Sequence, residues 1–142
     1  MGRIMGFDVG RKRLGIAISD DSARVASPVS VLDVEALKAD RRSLMRLMED
    51  YEPELGVVGL PLTLKGEEGA QAEAVRELAE QLLGPLDLKL VFFDERLSSS
   101  EAKRTLREAG VKEKQARGKI DMIAATLFLQ AYLDNMKVIH SE

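Results

Sequence analysis

The chain has 142 residues, 21 Lys and Arg against 24 Asp and Glu, a formal charge of -3, and no cysteine. That length suits one domain with a single core, expected to span residues 1–142, and the missing cysteines exclude disulfides and thiolate metal sites, as in a cytoplasmic protein. No apolar run approaches the ~20 residues that a membrane-spanning helix needs, and Met1-Gly2-Arg3-Ile4 enters an apolar segment with no signal-peptide pattern.

Residues 3–9 alternate as a strand, and residues 14–20 read as a second. The link Gly10-Arg11-Lys12-Arg13 is short and contains Gly, which predicts a hairpin. Ser27-Pro28-Val29-Ser30-Val31-Leu32 is rich in β-branched residues and predicts a third strand, completing an antiparallel meander. The period then changes. Leu37, Leu44, Leu47 and Met48 predict a helix over residues 35–50, ended at Glu52-Pro53. Leu55-Gly56-Val57-Val58-Gly59-Leu60 reads as a strand covered on both faces. Gln71, Val75, Leu78 and Leu82 predict a helix over residues 67–83, closed by Gly84-Pro85. Leu88 to Phe93 is a fifth strand. Ser98-Ser99-Ser100-Glu101 is a capping box opening a helix that Gly110 can close. A last helix places Ile120, Ile123, Ala124, Leu127 and Ala131 on one apolar stripe.

Three carboxylates interrupt apolar runs. Asp8 ends Ile4-Met5-Gly6-Phe7, Glu95 follows Leu90-Val91-Phe92-Phe93-Asp94, and Asp121 sits within Ile120-Asp121-Met122-Ile123. An acid so placed loses hydration, and the loss needs compensation. A divalent metal is a common compensation when several acids converge. Each has a plainer reading: a turn residue at Asp8, an ion pair at Glu95, a helix-dipole acid at Asp121. Asp94 competes with Glu95, because strand alternation puts the two on opposite faces. Periodicity does not choose between them.

Charge is unevenly spread. Arg11-Lys12-Arg13 form one basic knot, and Lys103, Arg104, Arg107, Lys112, Lys114, Arg117 and Lys119 form a second stretch. The acids Asp33, Glu35, Asp40, Glu49, Asp50, Glu52 and Glu54 collect elsewhere. A polarised surface can bind a polyanion despite a negative total. Lys12 and Arg13 beside Asp8, Arg96 beside Glu95, and Arg117 and Lys119 before Asp121 are candidate phosphate contacts, which hold a backbone without reading its sequence. Aromatic content is 4% with no Trp, which argues against extensive base stacking and for a structured or double-stranded substrate recognised by shape.

The element order βββ-α-β-α-β-α-α is similar to that of the RNase H-like fold. It implies an α/β protein with a five-stranded mixed sheet, three strands antiparallel and two parallel, flanked by helices. Right-handed crossovers then make the first strand central, with Asp8 and Glu95 at one end of the sheet and Asp121 approaching from the last helix. Four segments carry a closer resemblance: Asp8-Val9-Gly10-Arg11-Lys12-Arg13-Leu14-Gly15-Ile16-Ala17-Ile18-Ser19-Asp20, then Val57-Val58-Gly59-Leu60-Pro61 with Gly66-Glu67-Glu68-Gly69, then Asp94-Glu95-Arg96-Leu97-Ser98-Ser99, then Ile120-Asp121-Met122-Ile123-Ala124-Ala125. In series they resemble the YqgF (RuvX-type) family, Holliday-junction-resolvase-like proteins described as pre-16S rRNA nucleases. The match covers nearly the whole chain. Arg11 and Thr63 stand where the family more often has Thr and Asn, and the tail after Asp134 carries no signature.

The resemblance implies an acidic triad of Asp8, Glu95 and Asp121 that holds Mg²⁺ or Mn²⁺ and hydrolyses phosphodiester bonds. Hard divalent ions prefer oxygen ligands, and two of them can stabilise both the attacking and the leaving oxygen. The single histidine, His140, lies near the C-terminus and is not expected in the site. The implied substrate is structured RNA, the 5′ end of pre-16S rRNA in ribosome biogenesis, with branched DNA as the alternative. Ribosome-associated proteins are implied partners, and the chain would act as a monomer or a homodimer. Two other classes compete. Asp8-Val9-Gly10 also resembles the phosphate loop of actin-like and sugar kinases, although one domain lacks the second half of that nucleotide clamp. A non-catalytic module that binds rRNA or a ribosome factor would use the same basic surface.

Overall fold

A computed structural model describes residues 2–97 and 120–140, excepting the side chains of residues 97, 120–122 and 137–140. The strands are β1 (Ile4–Val9), β2 (Arg13–Ser19), β3 (Ala26–Asp33), β4 (Leu55–Leu60) and β5 (Lys89–Asp94). The helices are α1 (Val34–Ala39), α2 (Arg42–Tyr51), α3 (Ala70–Leu83) and α4 (Ile120–His140), with a 3-10 turn at Glu95–Leu97. The sheet order is β3-β2-β1-β4-β5. The hairpin-linked strands pair antiparallel, and β4 and β5 add in parallel beyond β1. The mixed five-stranded sheet and the central first strand match the expectation from element order. The capping-box segment 98–110 and the basic segment 110–119 lie outside the described residues.

Alternation along β1 assigns its two faces. Met5, Phe7 and Val9 enter a core with Leu37, Leu44, Ala79, Leu82 and Leu83 from α1, α2 and α3. On the other face Ile4, Ala17 and Val57 pack beneath Ala125, Phe128, Leu129 and Leu133 of α4. This second contact needs small residues in the sheet. A Cβ on Gly6 would sit 2.9 Å from Cβ of Leu129, and one on Gly59 would sit 2.6 Å from the Phe128 ring.

Of the expected stripe on α4 Ala131 is buried, at 4% exposed, but the residues that meet the sheet are mostly others. Ala125, Phe128, Leu129 and Leu133 are at most 1% exposed, whereas Ile123, Ala124 and Leu127 are only half-buried. An α4 that is apolar around most of its circumference offers several stripes of equal spacing, so spacing alone cannot select the sheet-facing one. Gln130 marks that face as well. Its Oε1 accepts from the Ala26 backbone N–H at 2.8 Å, and its Nε2 donates to the Arg24 carbonyl at 2.9 Å and to Asp134 at 3.1 Å.

The helix expected over residues 35–50 is two helices. At Asp40 the backbone is extended, with φ near -150°. The Asp40 carboxylate accepts from the Arg42 backbone N–H at 3.0 Å and from its guanidinium at 2.7 Å. Those bonds hold the carboxyl down at about 2, the side-chain bond to Arg42 first among them. An aspartate that bonds backbone locally in this way competes with helix continuation. Leu37 and Leu44 are both buried on either side of the break, so the apolar period runs through it. Helix α3 starts at Ala70 rather than 67, after a Gly69 cap in extended conformation. Among the described residues no helix is long and apolar enough to cross a membrane.

Gln130→Leu keeps the bulk of this side chain but strands the buried Ala26 N–H. A loss of about 1–3 kcal/mol is expected, read as a lower urea midpoint with an unchanged slope by circular dichroism. An unchanged midpoint would mean that apolar packing alone anchors α4 to β3.

Candidate active site

Asp8 is half-buried near the end of β1, opposite Gly15 in the β1–β2 register. It stands two residues beyond Gly6, so strand alternation puts it on the α4 face. On β5 the same face is marked by Phe93, whose ring meets Tyr132 of α4 edge-on at 5.5 Å. Phe92 turns the other way, packs against the α1–α3 core and is covered by the Arg76 guanidinium at 4.3 Å. Asp94 therefore alternates to the side away from α4. There Arg96 holds it, through its backbone N–H at 3.0 Å, Nε at 2.9 Å and Nη2 at 2.7 Å. Those bonds, the side-chain ones foremost, keep the Asp94 carboxyl below its ordinary value.

Glu95 opens the 3-10 turn, which contacts α4. It is half-buried, and burial above all, with the neighbouring Asp94 charge second, pushes its carboxyl up. Two adjacent acids are thus driven in opposite directions, which is how environments divide roles between carboxylates. Asp94 is engaged in an ion pair, and Glu95 carries the desolvated charge.

Arg96, expected beside phosphate, has its guanidinium in a clamp. Besides holding Asp94, its Nη1 donates to the carbonyls of Thr63 at 3.1 Å and Leu64 at 3.4 Å. The loop 61–69 is further closed on itself. Thr63 N–H bonds the Glu67 carbonyl at 2.9 Å, Gly66 N–H bonds the Thr63 carbonyl at 2.8 Å, and Thr63 Oγ1 accepts from Glu67 N–H at 3.1 Å. Gly66 has φ of 82°, a left-handed conformation that favours glycine. The Thr63 hydroxyl thus does the backbone-bonding work for which an asparagine side chain is also suited. Sequence reading missed this clamp, although the Asp94-Glu95-Arg96 spacing and the Thr63-to-Gly66 turn residues were its signals.

The hairpin is tied down by the Gly10 N–H to the Arg13 carbonyl at 2.9 Å and by the Val34 N–H to the Lys12 carbonyl at 2.8 Å. Lys12 and Arg13 are exposed there, and Arg13 faces Asp33 in the β2–β3 register. An open cleft of about 600 Å³ is lined by Arg11, Lys12, Arg13, Val31, Asp33 and Glu35. The expected separation of basic and acidic surface is therefore incomplete, since two of the acids line the basic cleft. Asp121 is the second residue of α4, and its side chain lies outside the described residues, as do Arg117 and Lys119. Among the described residues no three His, Asp or Glu side chains gather into a metal site. The described donors, Asp8 and Glu95, are hard oxygens, and a desolvated carboxylate such as Glu95 is in kind what a divalent cation compensates.

The fold is that of RNase H-like junction resolvases. Thermus thermophilus RuvC in complex with a Holliday junction substrate superposes with a TM-score of 0.59 at 13% identity, covering 96% of this chain and 97% of that one. The fowlpox virus resolvase in complex with its substrate Holliday junction DNA gives 0.55 at 16% identity, covering 94% and 98%. Residues 2–135 match the RuvX family, described as Holliday junction resolvase, and the chain belongs to that family. Among its relatives, a protein of Anaeromyxobacter sp. (strain Fw109-5) is 42% identical over 132 residues, spanning 93% of this chain and 96% of its own. One of Syntrophomonas wolfei is 44% identical over 132 residues, spanning 93% and 94%. Both bear the name "Putative pre-16S rRNA nuclease".

Two outcomes follow from the clamp and the acid pair. A carboxyl raised on folding disfavours the folded state once it ionises. That cost is absent below the unfolded value near ~4.3 and is full above the raised folded one. Glu95→Gln should therefore melt higher than wild type at pH 7, with the gain vanishing below about pH 4; a lower melting temperature at pH 7 would mean that the charge is compensated. Arg96→Ala releases Asp94 and the loop together, so tryptic cleavage after Lys65 should speed up several-fold at unchanged global stability.

Proposed function

We propose that this protein is a metal-dependent endonuclease that hydrolyses phosphodiester bonds in structured nucleic acid, with the 5′ end of pre-16S rRNA as its substrate. The observation that carries the reading is the pair Asp8 and Glu95. Each follows by two residues a position that meets α4, Gly6 and Phe93, and each is half-buried. The names of the relatives support the RNA substrate.

Asp121 is the third member of the proposed triad. Gln130 bonds Ala26, whose register partner Ser19 accepts from the Ile4 N–H at the start of β1. Ala125 lies over Gly6, further along the same strand. The first turn of α4 thus advances toward the Asp8 end, and position 121 lies in that turn, four residues before Ala125. This supports the reading without depending on the side chain.

Asp8, Glu95 and Asp121 would hold Mg²⁺ or Mn²⁺ as oxygen ligands. What a bound divalent ion supplies there is a more acidic water and a sink for charge on the leaving oxygen. The chain contributes the rest. Asp94 and Arg96 fix the turn from which Glu95 projects. Lys12, Arg13, Arg117 and Lys119 would hold phosphates of the substrate backbone. The products would carry a 5′-phosphate and a 3′-hydroxyl.

Branched DNA is the second reading, favoured by the family description and by the resolvases that share the fold. Cleavage of a 5′-extended 16S rRNA fragment and of a four-way DNA junction, each in Mg²⁺ or Mn²⁺, separates the two. Asp8→Asn should cut more than ~100-fold more slowly, since loss even of outer-shell partners costs a metal site 10–100-fold. Mn²⁺ should raise the melting temperature of wild type and not of the variant. Equal cleavage by the two proteins would remove the triad. Binding without cleavage, indifferent to chelator, would make the chain a non-catalytic RNA-binding module.

A further inference from the structure

We propose that the cleft between the β1–β2 hairpin and the β3–α1 corner is a subsite that reads the ribose of the substrate. Arg11 and Lys12 take a phosphate there, and Asp33 and Glu35 accept the 2′-hydroxyl of the adjoining nucleotide. The inference rests on the nuclease reading above and deepens it, naming the group by which an RNA strand is told from DNA.

Strand register sets the place. Asp8 is paired with Gly15, and Gly15 with Val31, so one row of the sheet runs from Asp8 across β2 to the cleft. The bulge at Ile16/Ala17 lies outside this stretch. Paired residues share a face. Leu32, next to Val31, packs into the core under α1, α2 and α3, so Val31 belongs to the α4 face, as Asp8 does. Gly15 carries no side chain and leaves the row open between them. Two strand spacings separate Asp8 from Val31, about 10 Å, within reach of a nucleotide adjoining the scissile phosphate.

The walls of the cleft are tied to each other. The Val34 N–H donates to the Lys12 carbonyl at 2.8 Å, which joins the hairpin to the start of α1. Arg13 and Asp33 are register partners in the row next to Gly15 and Val31. The volume, about 600 Å³, is within the range of small-ligand sites and admits one nucleotide.

The lining holds groups that a phosphate site alone would not. Asp33 and Glu35 stand among the cations, and a carboxylate beside a phosphate repels it unless the ligand also brings a donor. Helix capping does not exhaust Asp33. Its Oδ2 accepts from the Ala36 N–H at 2.9 Å, and a carboxylate has about four acceptor sites. Glu35 is held loosely, with Oε1 3.8 Å from Lys38 Nζ on an exposed face, a kind of pair worth little. An ionised carboxylate accepts and never donates. Within a DNA backbone no sugar or phosphate has a hydrogen to give it, whereas in RNA every ribose does, at the 2′-hydroxyl. The same two acids thus favour a ribonucleotide by contact and disfavour a deoxyribonucleotide by repulsion.

The test compares one hairpin with a single-strand extension in two forms, RNA and 2′-fluoro RNA, bound in Ca²⁺ to suppress turnover and read by fluorescence anisotropy. Fluorine keeps the sugar pucker and the A-form shape but cannot donate. Wild type should bind the RNA form roughly tenfold more tightly, the size of one charge-assisted hydrogen bond. The double variant Asp33→Asn/Glu35→Gln should bind the two forms alike. Asn still caps a helix, and Glu35→Gln alone, at an exposed position, should lower the ratio in the same direction. Loss of negative charge by itself shifts both affinities together, so the ratio isolates the hydroxyl. Equal binding of the two forms by wild type, or a ratio that survives in both variants, would overturn the subsite. A preference that follows the bases of the extension and not its sugar would reassign the acids to base amino groups and also overturn it. Cleavage of the RNA form in Mg²⁺ by wild type checks the nuclease reading separately, and that reading stands if cleavage occurs with equal binding of the two forms. A wild type that neither binds nor cuts either form would overturn both.

Discussion

The arrangement depends on how closely α4 can approach the sheet. Its sheet-facing side chains, Ala125, Phe128, Leu129 and Leu133, press on a surface where Gly6, Ala17 and Gly59 leave the backbone bare or nearly so. A methyl group at Gly59 would overlap the Phe128 ring, and overpacking of that kind typically costs 1–3 kcal/mol or pushes the helix outward. Outward movement would also lift the first turn of α4 away from the strand end that carries Asp8. Close packing therefore does two tasks at once. It buries the second core, and it sets the level at which the helix meets the end of β1. The larger core, on the other face, gathers Leu37, Leu44 and Leu82 with Phe7 and Val58 under α1, α2 and α3.

The acids at the sheet end divide by the same face logic. Strand pairing puts Phe92 toward α3 and Phe93 toward α4, and Asp94 inherits the side opposite Phe93. There it finds Arg96 and becomes part of the scaffold. Glu95 leaves the strand as the 3-10 turn begins, and its carboxylate keeps a desolvated charge. Folding alone would favour a neutral residue there. An acid kept against that preference, beside a neighbour whose charge is already matched, supports the site role proposed for Glu95.

Much of this could be read in the residues. The alternation of Ile4 to Val9, the short basic link and the all-apolar Leu55–Leu60 run are local signals, and they sufficed for strand order because crossover handedness supplied the rest. What escaped depended on contacts distant in sequence. The break at Asp40 was hidden because the seven-residue spacing of Leu37 and Leu44 suits a continuous helix, and only the local bonding of Asp40 to Arg42 ends it. The sheet-facing stripe of α4 was hidden because nearly every face of that helix is apolar. A signal existed on the partner side: in Leu14-Gly15-Ile16-Ala17-Ile18 the small residues recur at every second position, marking the sheet face that a helix can approach. The choice between Asp94 and Glu95 required knowing which face α4 covers, and no single strand carries that information.

Electrostatics makes the last constraint local. The chain is net negative, so a polyanion gains nothing from its overall field, and beyond a Debye length of about 8 Å the distant acids are screened in any case. Attraction has to come from cations fixed close to the acids. The hairpin offers Arg11, Lys12 and Arg13, yet Asp33 and Glu35 line the same cleft and Arg13 stands opposite Asp33 in the register. A phosphate entering there exchanges against carboxylates already present, which weakens the gain per contact and penalises loose, non-specific association. A surface of this kind favours a substrate whose phosphates are held at several points at once by its own folded shape. Under the proposed nuclease activity that would be a reason, independent of any base-reading group, for a structured nucleic acid to be preferred over an extended strand.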